Sequence, residues 1–168
     1  RRPGKERDAE PALADCESSG LMMLPQLQPL TRAQHQQLAL DHCAAFEADL
    51  GVAQQLFSPY RIRPLGAHID HQLGRVASIA TNQGITVTFT PNSDRRLRAQ
   101  SAGFGSVADV LIGAPQSAQG DWADYLRGSA AVLDQTDLPA GLDISVAGHL
   151  GEVGLSSSAA VTLAYLSA

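Results

Sequence analysis

Apolar residues recur at helical spacing in three stretches of the chain. The first begins at Thr31, which has capping-box spacing with Gln34, and is predicted to end at Gly51. The second opens at Asp121 and runs to about residue 133, with apolar positions four apart along one face. The third follows a serine-rich segment and continues to the last residue of the sequence. His35 and His42 on the first helix are predicted to be solvated, with no metal-binding role.

Between these helices polar and apolar residues alternate, which is the spacing of half-buried strands. Residues 54–66 contain two prolines, which exclude a helix and favour an edge or bulged strand. Residues 85–90 alternate strictly as Ile-Thr-Val-Thr-Phe-Thr. Turns are expected at residues 82–84 and 91–94, and residues 101–120 are expected to be loop with one short strand. The remaining strand candidates are residues 75–80, 96–100 and 142–147.

The order of these elements predicts an α+β fold, a mixed β-sheet with helices. Residues 1–28 carry mixed charge and several prolines without an apolar period, and are predicted to be a flexible leader. Residues 29–168 are predicted to form one domain. Its last helix has barely begun where the sequence stops, without a glycine or proline terminator, so we expect the domain to be incomplete at its C-terminal end.

Composition narrows the classes of function. The formal net charge of −5 argues against a nucleic-acid binder, which would present a basic face. No apolar run approaches the ~20 residues that cross a bilayer, and no signal-peptide pattern is visible. The 2 cysteines are too few for a disulfide framework or a zinc site. We therefore expect a cytoplasmic protein with reduced thiols and with neither a nucleic-acid nor a membrane partner.

A glycine- and serine-rich segment lies between the last predicted strand and the last helix. Its glycines let a ligand approach the main chain closely. Its three successive serines lie where a helix leaves its first N–H groups unpaired, which is a site for anions such as phosphates. Plain helix capping is the alternative, but a cap needs one serine only. The candidate phosphate-binding residues are Gly151, Gly154, Leu155, Ser156, Ser157, Ser158 and Ala159.

Ionisable side chains cluster a second time, between residues 61 and 71. Two of them, Arg61 and Arg63, would point to the same side of a strand, and guanidinium groups suit carboxylate or phosphate. A carboxylate and an imidazole further along, Asp70 and His68, can together hydrogen-bond the hydroxyls of a sugar. A solvated hairpin with scattered charges stays open as the alternative.

Three motifs, in order, resemble the GHMP kinase family and its galactokinase-like members. Residues 58–71 resemble the galactokinase signature, Pro-Gly-Arg-Val-Asn-Leu-Ile-Gly-Glu-His-Thr-Asp-Tyr, in the form Ser-Pro-Tyr-Arg-Ile-Arg-Pro-Leu-Gly-Ala-His-Ile-Asp-His. Residues 122–128, Trp-Ala-Asp-Tyr-Leu-Arg-Gly, resemble the next helix of that family, and Gly-Leu-Ser-Ser-Ser-Ala resembles its phosphate-binding motif. The resemblance spans about residues 56–168. It implies an N-terminal GHMP kinase domain, similar to the second domain of ribosomal protein S5 and truncated before the C-terminal domain.

The resemblance also implies ATP and Mg²⁺ as cofactors and the anomeric (C1) hydroxyl of a sugar as phosphoryl acceptor. Arg61 matches the active-site arginine, and His68 and Asp70 match ligands of sugar hydroxyls. Trp122 matches an aromatic residue close to the adenine, although a core residue is the alternative, and Ser158 matches a magnesium or phosphate ligand. The family's catalytic aspartate lies downstream of the serine loop and is not in this sequence, so we expect these 168 residues alone to be inactive.

Three departures from the galactokinase pattern favour an anionic sugar. Ala67 stands where galactokinases carry a glutamate that receives the 6-hydroxyl, and a glutamate would repel a carboxylate at C6. Arg63 and His71 replace an asparagine and a tyrosine and add positive charge. Because Gly-Ala-His-Ile-Asp-His-Gln also resembles the galacturonokinases, D-galacturonate is the favoured substrate. A galactokinase acting on neutral D-galactose and a non-catalytic sugar- and ATP-binding relative stay open.

Overall fold

The chain adopts an α+β fold with a mixed sheet, which confirms the predicted fold class. The computed structural model describes residues 29–66, 69–101, 103–133, 140–148 and 156–168, so the predicted leader lies outside the described residues. Short 3-10 turns occupy Leu50–Val52 and Asp70–Gln72. The helices are α1 (Arg32–Phe46), α2 (Asp124–Leu133) and α3 (Ser157–Ser167). The strands are β1 (Gln54–Leu65), β2 (Ala77–Asn92), β3 (Arg96–Ser101), β4 (Phe104–Leu111) and β5 (Gly141–Ala147).

The five strands lie in the order β1-β2-β5-β3-β4. Neighbouring strands are antiparallel except for β3 and β5, which are parallel. Strand β1 is an edge strand, and its pairing with β2 shifts register between Pro59 and Arg61 and again between Ile62 and Leu65. The edge or bulged strand expected from the prolines of β1 is therefore confirmed.

Alternation along the strands gives the sheet one apolar face. On β2, Ile85, Val87 and Phe89 point to this face, and helices α2 and α3 pack over it. Full burial of each such side chain contributes about 1.5–3 kcal/mol to folding. The core is completed by Tyr60, Leu97, Ala99, Ala108, Val110, Ile112, Ala123, Leu126, Ala130, Ile144, Val146, Ala160, Val161, Ala164 and Tyr165.

The opposite face of the sheet is polar, and helix α1 lies on it. Its only buried residue is His42, whose imidazole is fully buried. Nδ1 of His42 lies 2.8 Å from Oγ of Ser145, and Nε2 lies 3.1 Å from Oγ1 of Thr90. The prediction that both helical histidines are solvated is therefore wrong for His42, because hydroxyls on two strands satisfy both ring nitrogens.

The turn predicted at residues 82–84 is wrong, because these residues lie inside strand β2. It runs without interruption from Ala77 to Asn92. Gly84 lies against β1, and a Cβ added there would lie 2.2 Å from the carbonyl oxygen of Ser58. The glycine therefore permits two strand backbones to approach closely, which a sequence pattern does not distinguish from a turn.

The ends of two helices also differ from the predictions. The capping box of Thr31 and Gln34 is present, as expected, but α1 ends at Phe46. Glu47 adopts a left-handed conformation with φ 53° and donates its N–H to the carbonyl of Cys43, so the chain turns before Gly51 is reached. Helix α2 begins three residues later than expected, at Asp124.

Replacement of Gly84 by alanine should lower the free energy of unfolding by about 1–3 kcal/mol, because the new methyl group has to push β1 and β2 apart. Gly128 is the matched control, since it lies on α2 with no heavy atom within 4 Å of an added Cβ. The Gly128→Ala variant should gain about 0.5–1 kcal/mol. Urea denaturation measures both changes, and equal stability of the two variants would contradict the close approach at Gly84.

The protein should become less stable as the pH is lowered, because His42 has to take up a proton. Burial lowers its pKa from 6.5, and the nearby Asp143 opposes that shift in part. Below about pH 6.5 the unfolded chain therefore binds a proton more readily than the folded chain, so stability is present above this pH and is lost as pH falls. His42→Gln should show a shallower decrease in Tm between about pH 7 and pH 5. His35→Gln is the control, because it removes a histidine from the same helix without touching Thr90 or Ser145. A parallel Tm profile for the wild type and His42→Gln would refute this assignment.

Candidate functional site

The two segments that carry candidate chemistry leave the sheet at the same end. Strand β5 ends at Ala147, which pairs with Thr86, and Thr86 pairs in turn with Phe57 of β1. Strand β1 continues beyond this level to Leu65 as a two-stranded ribbon with β2, and Arg61 lies on this extension. The chain that leaves β5 and enters the serine segment therefore emerges beside the base of the arginine-bearing ribbon.

Both arginines of the ribbon, Arg61 and Arg63, are half-buried. Nε of Arg61 is buried and has no hydrogen-bond partner among the described residues. A buried donor without a partner costs about 1–3 kcal/mol, so this guanidinium is poised to pair with an anion. The ribbon thus holds positive charge in a chain whose net charge is negative.

At the end of the ribbon the chain turns at Gly66, where a side chain would be excluded. Its φ is +80°, and an added Cβ would lie 2.4 Å from the carbonyl oxygen of Arg75. His71 is exposed on the turn that follows, with Nε2 lying 3.2 Å from Nε2 of Gln72. Ala67 and His68 lie outside the described residues, as does the side chain of Asp70. Their roles stay predictions.

The part of the serine segment that the structure describes lies at the N-terminus of α3. Ser156 is the N-cap residue, with a left-handed φ of 57° and no side-chain hydrogen bond to the helix. The hydroxyl of Ser156 therefore does not fill the capping role that was the alternative for this segment. Ser157 is half-buried and Ser158 is exposed on the first turn, with Ala159 behind them. Gly151, Gly154 and Leu155 lie outside the described residues.

A cavity of about 270 Å³ lies between α2 and α3 and brings two distant motifs together. Trp122, which precedes α2, and Ser157 and Ser158, at the start of α3, all line it. The ring of Trp122 stacks on that of Phe104, with centroids 5.4 Å apart and planes 12° from parallel. Trp122 also packs against the core, so both predicted roles of this residue are compatible with its position. Asp121, Tyr125, Val161 and Tyr165 complete the lining.

An ion-pair network fixes the loop that carries Trp122. Nη1 of Arg127 lies 2.6 Å from Oδ1 of Asp121 and also contacts Oδ1 of Asp124. The hydrogen bond from Arg127 lowers the pKa of Asp121. The pKa of Asp124 is lowered too. The largest cause is the hydrogen bond from the backbone N–H of Gln119, and the backbone N–H of Gly120 and the side chain of Arg127 lower it further. These contacts hold the chain before α2 in the position where its indole meets Phe104.

Sequence reasoning missed the contribution of β4 and of the end of α3 to this cavity. Phe104 stands alone in a Gly-, Ala- and Ser-rich stretch, and its contact with Trp122 depends on sheet order rather than on sequence spacing. Tyr165 is 3% exposed, and its hydroxyl has no hydrogen-bond partner in the described part of the chain. Burial raises the pKa of this phenol well above its usual value of 10.0.

The described residues contain neither a cluster of metal-ligating side chains nor a helix suited to cross a membrane. No group of three or more His, Cys, Asp or Glu side chains there could hold a metal ion. Helix by helix, none of the described helices has both the length and the apolar character needed to cross a bilayer.

Comparison with known proteins gives relatives of one kind. No protein-family model matches the chain. Galacturonokinase from Arabidopsis thaliana is 38% identical over 139 residues, which are 70% of this chain and 33% of that protein. Galactokinase from Lacticaseibacillus casei is 33% identical over 112 residues, 64% of this chain and 29% of that protein. The chain therefore spans about a third of the length of the curated relatives it matches.

Solved structures give the same fold. Lactococcus lactis galactokinase, complexed with galactose, superposes with a TM-score of 0.68 at 24% identity, over 77% of this chain and 34% of that one. Methanococcus jannaschii mevalonate kinase gives a TM-score of 0.58 at 16% identity, over 69% and 39%. The fold is that of the GHMP kinases, and with the sequence matches it shows that the chain belongs to this family. Within the family it is similar to the galactokinase and galacturonokinase sequences.

Removal of the Tyr165 hydroxyl tests the wall of the cavity between α2 and α3. Tyr165→Phe should leave the free energy of unfolding unchanged or raise it by up to about 1 kcal/mol, because no hydrogen bond to the described residues is lost. Tyr125→Phe, at the exposed side of the same cavity, is the matched control. Urea denaturation gives both values, and a clear loss of stability in Tyr165→Phe would show that this hydroxyl is hydrogen-bonded.

Proposed function

We propose that the protein is a sugar 1-kinase that transfers the γ-phosphoryl group of ATP to the anomeric hydroxyl of D-galacturonate. The observation that carries this proposal is the cavity between α2 and α3, which is lined by Trp122, Ser157 and Ser158. An aromatic ring and a helix N-terminus in one cavity suit a nucleotide, whose base can stack and whose phosphates need N–H donors. The similarity to galacturonokinase and galactokinases supports the same reaction class.

The nucleotide would lie with its adenine beside the stacked rings of Trp122 and Phe104 and its phosphates at the first turn of α3. No lysine or arginine is among the described residues that line this cavity, and the negative charge of Asp121 is paired with Arg127. Backbone N–H groups and the serine hydroxyls would therefore bind the phosphates, together with the predicted loop residues Gly151, Gly154 and Leu155.

Magnesium would be held mainly by phosphate oxygens and water, with one protein oxygen from the exposed hydroxyl of Ser158. This limited donor set fits Mg²⁺, which keeps several waters and is usually bound through one or two protein groups plus substrate phosphates. The bound ion would neutralise charge that develops on the phosphates during transfer.

The sugar would lie at the end of the β1–β2 ribbon, where the chain supplies arginines. Arg61 has a buried Nε without a described partner, and it would pair with negative charge on the transferred phosphoryl group. His68 and Asp70 would orient the sugar hydroxyls, as the family resemblance implies. Phosphoryl transfer demands positioning and charge stabilisation more than covalent chemistry, so these roles account for the contribution of this part of the protein.

Preference for the uronate would come from Ala67, Arg63 and His71. A glutamate at position 67 would face the carboxylate at C6, with a repulsion of ~4 kcal/mol at 4 Å and an effective dielectric of 20. Alanine removes that charge, and the half-buried Arg63 adds an attraction on the ribbon. His71 is exposed on the turn beyond the ribbon, where an imidazole can carry positive charge.

Neutral D-galactose is the second candidate substrate, because several of the relatives are galactokinases that are 33% identical over 64% of this chain. These proteins and the galacturonokinase differ in substrate by one oxidised carbon. A non-catalytic sugar- and ATP-binding protein is the third candidate. It would be favoured if the full-length protein bound both ligands without turnover.

The full-length protein, as its gene encodes it, should consume ATP with D-galacturonate and much more slowly with D-galactose. The Ala67→Glu variant should lower kcat/KM for D-galacturonate by ~10-fold or more, because it restores a like charge beside the substrate carboxylate. Ala67→Gln is the matched control, since it has nearly the same size without the charge. A coupled assay of ADP release measures all three proteins.

Each outcome of this assay decides between the candidates. A preference of the wild type for D-galactose, or an equal effect of glutamate and glutamine at position 67, would contradict the charge argument. ATP and sugar binding without ADP release would favour the non-catalytic protein. We expect residues 1–168 alone to release no ADP, as predicted from the sequence.

A further inference from the structure

A second cavity, of about 320 Å³, lies on the opposite side of the sheet from α2 and α3. One wall is α1, through Leu38, Asp41 and His42. The other wall is the polar face of β3, β4 and β5, including Gln100 and Ser145. Its volume is at the lower end of the range for small-molecule sites, which is enough for a molecule the size of a monosaccharide.

Hydrogen bonds inside the protein fix the polar wall of this cavity before any ligand arrives. Oγ of Ser145 accepts a hydrogen bond of 2.9 Å from Nε2 of Gln100 and lies 2.8 Å from Nδ1 of His42. His42 is in turn held by Thr90, and Asp41 accepts a hydrogen bond of 2.8 Å from Gln37. A preorganised wall lowers the conformational entropy that binding would cost.

The charges around the cavity exclude anions. Among its lining residues in the described part of the chain there is one carboxylate, that of Asp41, and no lysine or arginine. Burial lowers the pKa of His42, so this ring is neutral at pH 7. Arg98, on the same face of β3, is already paired with Asp94 and Asp143. A phosphate or a uronate would meet repulsion without a compensating cation.

The cavity is also partly apolar, because Leu38, Phe104 and Val107 line it. Both walls combine polar and apolar groups, so a ligand that fits must carry hydroxyl groups and C–H groups side by side. Cyclic polyols and neutral sugars have this composition, and their C–H faces pack on aromatic rings.

We propose that the cavity under α1 is a second binding site, for a small neutral polyol, and that its occupancy is coupled to the cavity between α2 and α3. Phe104 lines both cavities, and its ring stacks on Trp122. A ligand that packs against Phe104 changes the surroundings of the indole. Because coupling between two sites is reciprocal, a molecule bound next to Trp122 alters the affinity for the polyol by the same factor.

Gly105 offers a way to fill the cavity without damage to the core. On β4 the even-numbered residues Ala108 and Val110 are buried in the core, so Gly105 and Val107 project onto the polar face. An added Cβ at Gly105 meets no heavy atom within 4 Å, and the residue lines the cavity. Gly105→Leu therefore occupies space that the polyol needs. Gly103→Leu, in open space on the same hairpin, is the matched control.

Trp122 is the 1 tryptophan of these 168 residues, and its fluorescence responds to the cavity through the ring of Phe104. The full-length protein is titrated with myo-inositol, which lacks an anomeric hydroxyl and so is distinct from the proposed kinase substrate. We expect saturable change in the emission of the wild type and of Gly103→Leu, and an affinity at least about tenfold weaker in Gly105→Leu. D-Galacturonate, whose carboxylate would meet the charge of Asp41, should not displace myo-inositol in this titration.

Asp41→Asn is a second variant that keeps the site open. Removal of the carboxylate should narrow the preference for myo-inositol over D-galacturonate in the titration. Equal affinity of Gly105→Leu and the wild type, displacement of myo-inositol by D-galacturonate from the wild type, or the absence of any saturable response would overturn the proposal. ADP release is measured separately. If the full-length protein binds myo-inositol but releases no ADP with either sugar, the proposed function is contradicted and the second site is supported. If it releases ADP but does not respond to myo-inositol, the second site is contradicted and the proposed function is supported.

Discussion

The pairing of β2 with two neighbours along its length is the constraint on which the rest of the structure depends. This strand of 16 residues pairs with β1 between residues 77 and 89 and with β5 over residues 86–92. Because successive side chains alternate, this one strand gives the sheet an apolar face under α2 and α3 and a hydroxyl-rich face under α1. A one-residue slip of β2 would place threonines in the core and isoleucine and valine against His42, so the register of the central strand determines both layers at once.

The two faces are stabilised by different forces. On the apolar face, aliphatic and aromatic burial is nearly insensitive to direction, so α2 and α3 are positioned by the volumes of their side chains. On the polar face, α1 is positioned by directed hydrogen bonds, among them those of His42 and the 2.8 Å bond from Nε2 of Gln55 to the carbonyl of His35. The position of α1 therefore depends on hydrogen-bond geometry more than on side-chain volume.

Local patterns predicted those features that depend on neighbours in sequence. The capping box at Thr31, the alternating strand around Val87 and the edge character of β1 all follow from a few adjacent residues, and the structure confirms them. His42 and Gly84 were predicted wrongly, because their environments come from strands far away along the chain. A buried histidine needs the hydroxyls of Thr90 and Ser145, and the glycine needs the backbone of Ser58. For the same reason the motifs of the site could be recognised in order, whereas the contact of Phe104 with Trp122 could not.

The two-stranded ribbon beyond the end of β5 has a consequence for how this family can change its specificity. Past the shift of register between Pro59 and Arg61, β1 pairs with β2 alone, and two-stranded ribbons twist more freely than the sheet they extend. Substitutions at the tip of the ribbon therefore have little effect on the packing of the core. Under the proposed function, a change of sugar preference at the tip would therefore cost little stability, whereas a change at the proposed nucleotide cavity would disturb the packed layer of α2 and α3.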